Sequence, residues 1–177
     1  LTEIWNGIGL QMLLYLFALE SKGKVLYGKE IVPAGVLYLP ARDAMIAGSR
    51  SMTEEERRRA ADKALRRRGL LLDDPEVLSA MERQEENGVR FLPVRVSART
   101  GAITGDSLVS AEQMGRLGAH IQKVLSDICR EVASGSIAAD PFWRGPEKNA
   151  CLYCDYAAAC HFEEGRGGDR KRWIPSM

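Results

Sequence analysis

The segment GLQMLLYLFAL, Gly9 to Leu19, sets the first constraint on the fold. It is apolar nearly all round and carries one amide, Gln11, with a phenol, Tyr15, four residues on. Side chains four apart stack on one face of a helix, so the amide and the phenol are neighbours. A helix without a polar face has no side to offer water, and its expected place is an interior layer covered on both sides, with Lys22-Gly23 as its stop. The apolar stretch from Ile8 is shorter than the roughly 20 residues that span a bilayer. No basic leader with a small-residue cleavage site precedes it, so the chain reads as cytoplasmic, with no membrane partner.

With 177 residues, 45% hydrophobic and 28% charged, the composition suits one ordinary soluble domain. A formal net charge of +1 neither announces nor excludes a polyanionic partner, and any nucleic-acid surface has to be local. The first residue is Leu, not Met, which reads as a segment of something longer. Four cysteines without a secretory signal point to thiols or metal ligands in preference to disulfides.

Further along, Gly35 to Leu39, between Pro33 and Pro40, has the branched and aromatic content of a buried strand. Thr53-x-x-Glu56 is a capping box, with acid then base following it, and it predicts a solvated helix ending near Gly69. Asp74-Pro75 predicts an N-cap and first residue of a short helix to about Gln84. Phe91 to Ser97 reads as an edge strand marked by Pro93, with a hairpin-like turn at Arg99-Thr100-Gly101 leading to Asp106 to Val109, a peripheral β element. Ser110-x-x-Gln113 opens a long helix whose apolar positions from Met114 to Val132 keep helical period until Gly135. From Asp140 onward Pro, Gly and Cys dominate, and the expectation is a loop that only a cross-link would order.

Cys151, Cys154 and Cys160 form a Cys-x2-Cys-x5-Cys array. Two thiols three residues apart reach one metal because a tight turn aims both sulfurs inward. An iron-sulfur or structural zinc site normally takes four ligands, so the fourth is Cys129, His161 or a residue outside this chain. Cys129 shares a helical face with Gly118, Ile121, Leu125 and Val132, which favours a small buried hydrophobe. His161 directly follows Cys160, and adjacent residues rarely converge on one metal. Incidental thiols or a local disulfide are the bland alternative for the triplet.

At these residues the chain resembles a known family. GLQMLLYLFAL is similar to the Gln-x3-Tyr motif of RecB-family nucleases of the PD-(D/E)xK fold. The run from Gly135 through Asp140-Pro141-Phe142, CLYCDYAAAC and His161-Phe162 resembles the C-terminal end of AddB-type subunits of bacterial ATP-dependent helicase-nucleases. GVLYLPARD and GLLLDDPEVLSAME resemble the same subunits, so the likeness covers most of the chain. The resemblance implies a deoxyribonuclease that degrades DNA from double-strand ends in recombinational repair, together with an AddA-like helicase-nuclease subunit. It implies a divalent metal such as Mg held by carboxylates, with Gln11 and Tyr15 as accessory positions. It also implies a [4Fe-4S] cluster whose last three cysteines are Cys151, Cys154 and Cys160, the first lying far upstream.

In such nucleases the metal-binding Asp and the (D/E)xK pair precede the Gln-x3-Tyr helix, whereas eight residues precede Gly9 here. Glu20-Ser21-Lys22 is a nominal match at a helix end, assigned to capping and chance. His120 and His161 make no visible nucleophile and base pair. The chain alone is therefore expected to be inactive. For Gln11 and Tyr15 the amide can hold a metal-bound water or a phosphate while the phenol adds a donor; the bland alternative is a satisfied core pair. The basic residues Arg57 to Arg59 and Arg66 to Arg68 read as a solvated face, and Arg166, Arg170, Lys171 and Arg172 are candidates to touch phosphates.

The expected fold is α/β. It is a partial PD-(D/E)xK (restriction-endonuclease-like) domain with a buried Gln-x3-Tyr helix, a following strand, a peripheral hairpin and a long helix over residues 1–140, closed by a cysteine-rich iron-sulfur segment over 141–177. The competing readings are a non-catalytic metal-knuckle module that binds DNA or protein, and a Cas4-like exonuclease fragment.

Overall fold

Two glycines make the main sheet possible. The computed structural model describes residues 2–83, 89–97 and 99–175. In chain order its elements are α1 (Thr2–Trp5), α2 (Gln11–Tyr27), β1 (Gly35–Tyr38), α3 (Glu54–Ala64), β2 (Arg68–Leu72), α4 (Pro75–Met81) and β3 (Arg95–Val96). There follow β4 (Ile103–Thr104), β5 (Leu108–Val109), α5 (Ala111–Ala133), β6 (Phe142–Trp143), α6 (Ala157–Cys160) and β7 (Arg172–Trp173). The chain divides into two compact units, residues 11–118 and residues 1–10 with 119–177.

In the unit of residues 11–118, β1 pairs antiparallel with β2, and β2 pairs parallel with β5, giving the order β1-β2-β5. Gly35 and Gly69 stand at φ +144° and +152°, and a methyl on either would meet the facing backbone carbonyl at 2.3 Å and 1.9 Å. Only glycine lets the two strands approach this closely. The core behind the sheet is Leu71, Leu78, Leu92 and Val94, all essentially inaccessible to water. The expected α/β class is borne out, as is the strand from Gly35.

Three local helix starts are as the sequence predicts. Thr53 and Glu56 form a complete capping box on α3, and Asp74 Oδ1 accepts from the backbone N–H groups of Glu76 and Val77 ahead of Pro75. Ser110 and Gln113 bond reciprocally at the head of α5. The end expected near Gln84 lies outside the described residues, as does Leu1. Elsewhere the structure corrects the sequence. α3 ends at Ala64, not near Gly69, because Arg68 to Leu72 is taken into β2.

Arg66 does not belong to a solvated face: its guanidinium donates to the carbonyl oxygens of Leu92 at 2.9 Å and Val94 at 2.6 Å. The Glu82 carboxylate accepts from the backbone N–H groups of Arg90, Phe91 and Leu92. With so many of its backbone groups bonded to side chains, the segment from Phe91 forms only the two-residue β3. That strand pairs with β4, and Leu108–Val109 joins the main sheet, so the second arm of the hairpin is Ile103–Thr104. The element is not peripheral either, since it supplies Leu92 and Val94 to the core.

α2 departs furthest from expectation. It runs past Lys22-Gly23 to Tyr27 and ends at Gly28, whose φ of +72° suits a helix-terminating glycine. Gly23 is instead a packing glycine, buried where a methyl would lie 2.5 Å from Ile31 Cγ1. Glu20-Ser21-Lys22 therefore sits within a helix and not at its end. Only Leu13 and Gly23 of α2 are buried, while Met12, Tyr15, Leu19 and Leu26 are exposed. A three-stranded sheet is a single layer and covers one side of a helix, so burial on both sides is not achieved among the described residues. No helix among the described residues is long and apolar enough to cross a membrane.

Candidate functional site

Gln11 and Tyr15 lie at the start of α2. Gln11 Nε2 donates to the Tyr15 hydroxyl at 2.9 Å, the direct product of their four-residue spacing. Both are exposed, Tyr15 to 55%, so the pair is neither buried nor part of the core. No other hydrogen bond engages the Gln11 side chain or the Tyr15 hydroxyl among the described residues, which leaves an amide oxygen and further protons for an outside group.

The cysteines belong to the unit of residues 1–10 and 119–177. Asn149 starts the run: its Oδ1 accepts from Cys151 N–H, and its Nδ2 donates to the carbonyls of Gly145 and Pro146. Cys154 N–H then bonds back to Cys151 O, Ala157 N–H to Cys154 O, and Cys160 N–H to Tyr156 O. The first two bonds close turns of three residues and the last closes one α-helical turn of four, a winding that brings residues 151, 154, 157 and 160 to one side. Cys151, Cys154, Ala157 and Cys160 accordingly line one cavity of about 480 Å³, together with His161 and Phe162. His161 ends α6 in the left-handed region, at φ 48° and ψ 39°.

The rest of the wall comes from sequence regions that spacing did not connect. β6 and β7 pair in parallel, setting Phe142 opposite Arg172 and Trp143 opposite Trp173. Trp143, Glu164 and Lys171 line the same cavity as the thiols. Lys171 Nζ lies 4.5 Å from the Trp143 ring centroid and 2.7 Å from Glu164 Oε2. The segment after Asp140 is therefore held by strand pairing and turns, and is not a loop awaiting a cross-link.

Cys129 is exposed on α5 and is not part of the cavity wall. Its expected burial fails because the buried residues of α5 stop at Ile121, while Ile128 and Val132 further along are exposed. Of the basic tail, Arg166 pairs with Glu163, Arg170 with Asp140 and Lys171 with Glu164. His120 Nε2 lies 3.0 Å from the Trp5 carbonyl oxygen, with its ring stacked on the Trp5 indole, so its role is structural.

The donor chemistry fits a thiolate-ligated centre, with three cysteines among the residues that line one cavity. Among the described residues, however, no three His, Cys, Asp or Glu side chains already surround one point closely enough to hold an ion. The set is one ligand short of the four a closed cluster takes.

An ion pair ties the start of the chain to this segment. Arg144, almost fully buried, donates through Nη1 to Glu3 Oε1 at 2.7 Å, with Lys148 Nζ at 3.5 Å. The Arg144 guanidinium, aided by Lys148, holds the Glu3 carboxyl below its usual value near 4.5. A depressed acid stabilises the fold fully above its ordinary range and loses that contribution as pH falls through its lowered value. Glu3→Gln is expected to cost about 1 kcal/mol at pH 7, discounted because Glu3 is half exposed. In thermal melts the parent and the variant should converge as the pH is lowered below 4.5. A difference that persists unchanged in acid would contradict the assignment.

A family model described as the PD-(D/E)XK nuclease superfamily matches residues 3–161. The chain belongs to that superfamily. It is 35% identical over 163 residues to the ATP-dependent helicase/deoxyribonuclease B subunit of Clostridium novyi, covering 92% of this chain and 14% of that protein. It is 34% identical over 175 residues to the protein of the same name from Geobacillus thermodenitrificans, covering 97% of the chain and 15% of that protein. The Clostridium acetobutylicum protein of that name is 29% identical over 174 residues, 98% of the chain and 15% of its own length. The chain thus spans 14–15% of the length of these relatives.

Proposed function

We propose that this chain is the closing part of the nuclease domain of an ATP-dependent helicase/deoxyribonuclease B subunit, an AddB-like protein. The observation that carries this reading is the alignment of 92–98% of the chain with proteins of that name, within a nuclease superfamily match. The parent protein degrades DNA from double-strand ends in the cytoplasm during recombinational repair, with an AddA-like helicase-nuclease subunit as partner. Hydrolysis there uses a divalent metal such as Mg on carboxylates that this chain does not supply.

Gln11 and Tyr15 serve as accessory groups. The Gln11 amide, fixed by its bond to the phenol, offers its oxygen and second N–H to a metal-bound water or a phosphate. Tyr15 keeps its own proton as a further donor. Residues 141–177 form the iron-sulfur closing segment. Cys151, Cys154 and Cys160 provide three thiolates, and the fourth ligand comes from outside the chain. A [4Fe-4S] cluster held there would fasten the end of the nuclease domain to the remote part of the protein that donates the last sulfur.

Incubated with Mg²⁺ and linear duplex DNA, the purified chain is expected to leave the DNA intact, because the metal-binding strands are supplied from elsewhere. Robust metal-dependent degradation that survives rigorous purification would overturn this placement of the active site.

A further inference from the structure

Lys171, whose ammonium group is held in a fixed place, lines the same cavity as the three cysteines. The Lys171 side chain is only 22% exposed although lysine is usually solvated; its Nζ rests 4.5 Å from the Trp143 ring centroid and 2.7 Å from Glu164 Oε2. Two independent contacts therefore position the charge, an aromatic face and a carboxylate, on the wall shared with Cys151, Cys154 and Cys160. The strand pairing of β6 with β7 sets this geometry, since it brings Trp143 beside the chain that carries Lys171 and Trp173.

We propose that Lys171 and Glu164 are an opposed pair of positioning residues that set the charge of the thiol cavity, Lys171 favouring a thiolate-bound metal centre and Glu164 attenuating that effect. This rests on the reading of the three cysteines as metal ligands. Loading a dication on three thiolates, with the thiol protons released to solvent, gives a complex that carries a net negative charge. A nearby cation stabilises that complex, and a nearby carboxylate opposes it. The same signs hold for an iron-sulfur core, whose potential follows net charge and surrounding groups. Residues around a metal site that do not touch the metal commonly change affinity by about 10- to 100-fold.

The test uses Co²⁺ as the probe, titrated into the reduced chain and followed by thiolate-to-cobalt charge-transfer absorption and by quenching of tryptophan fluorescence. Lys171→Gln is expected to weaken Co²⁺ binding about tenfold, with Lys171→Arg restoring it. Glu164→Gln is expected to shift the affinity the other way, although it breaks the same ion pair. A merely structural pair would make both neutral substitutions weaken binding alike, and that outcome, or no change in either, overturns the proposal. Absence of a charge-transfer band in the unsubstituted chain would overturn the proposal that this pair tunes a three-thiolate site, while the cluster reading, which takes its fourth ligand from outside the chain, is tested separately by iron and sulfide analysis of the full-length protein.

Discussion

Gly69→Ala is expected to lower the stability of the sheet-bearing unit by about 3–5 kcal/mol, the sum of a conformation nearly reserved for glycine and of forced overpacking. The methyl group would lie 1.9 Å from the Val36 carbonyl oxygen, with Leu37 Cα 3.1 Å away, so both the backbone conformation and the space forbid it. The neighbour that would have to move is a strand paired by backbone hydrogen bonds, not the flexible end of a side chain. Relief therefore requires β1 to separate from β2, which uncovers Leu71. Gly101→Ala provides the control: its φ is +67°, but nothing lies within 4 Å, so only the conformational cost of about 1 kcal/mol remains. Urea unfolding followed by circular dichroism measures both. Similar midpoints for the two variants would show that the close approach of the strands is not as described.

The second large effect concerns the thiols. In a full-length protein containing this segment, Cys151→Ala is expected to remove bound iron and acid-labile sulfide and to open the region after Asp140 to protease. A structural metal centre contributes binding free energy on the order of 10 kcal/mol to the fold that holds it, so losing one ligand from a cluster is not a local event. In the chain of 177 residues alone the same substitution is expected to change protease sensitivity little. There the outside ligand is absent and no cluster is lost, so the segment keeps only the β6-β7 pairing, the Arg144–Glu3 ion pair and the burial of Ile174 that it has without one, whereas in the full-length protein the rest of the domain is tied to it through the cluster. Equal sensitivity of the full-length protein with and without Cys151 would count against a cluster.

The parts of this molecule that were legible in its sequence are those decided within a few residues. Capping boxes at Thr53 and Ser110, the Asp74-Pro75 start and the Gln11–Tyr15 contact all depend on neighbours three or four positions away. The thiol array was legible for the same reason, since consecutive tight turns and one helical turn put Cys151, Cys154 and Cys160 along one cavity wall. What was not legible depends on partners distant in the chain. Whether the apolar helix at Gln11 is covered is decided by how many layers meet it, which no local pattern states. Arg66 looked like one more surface cation because its acceptors, the carbonyls of Leu92 and Val94, come 26 and 28 residues later. Trp143 and Lys171 join the cavity wall through a strand pair that bridges almost thirty residues, and neither carries a motif. Gly23 has the local pattern of a stop, but its place in the fold is to admit Ile31, and the helix ends at Gly28.

The central claim is that Cys151, Cys154 and Cys160 hold an iron-sulfur centre completed by a sulfur from outside this chain. The most direct test is iron and acid-labile sulfide analysis of the full-length protein purified without oxygen, read beside its visible absorption spectrum. The account predicts iron and sulfide in matching amounts and a cluster absorption band that is lost when any one of the three cysteines is replaced. Stoichiometric zinc, or a protein free of both iron and sulfide that keeps its full fold, would contradict it.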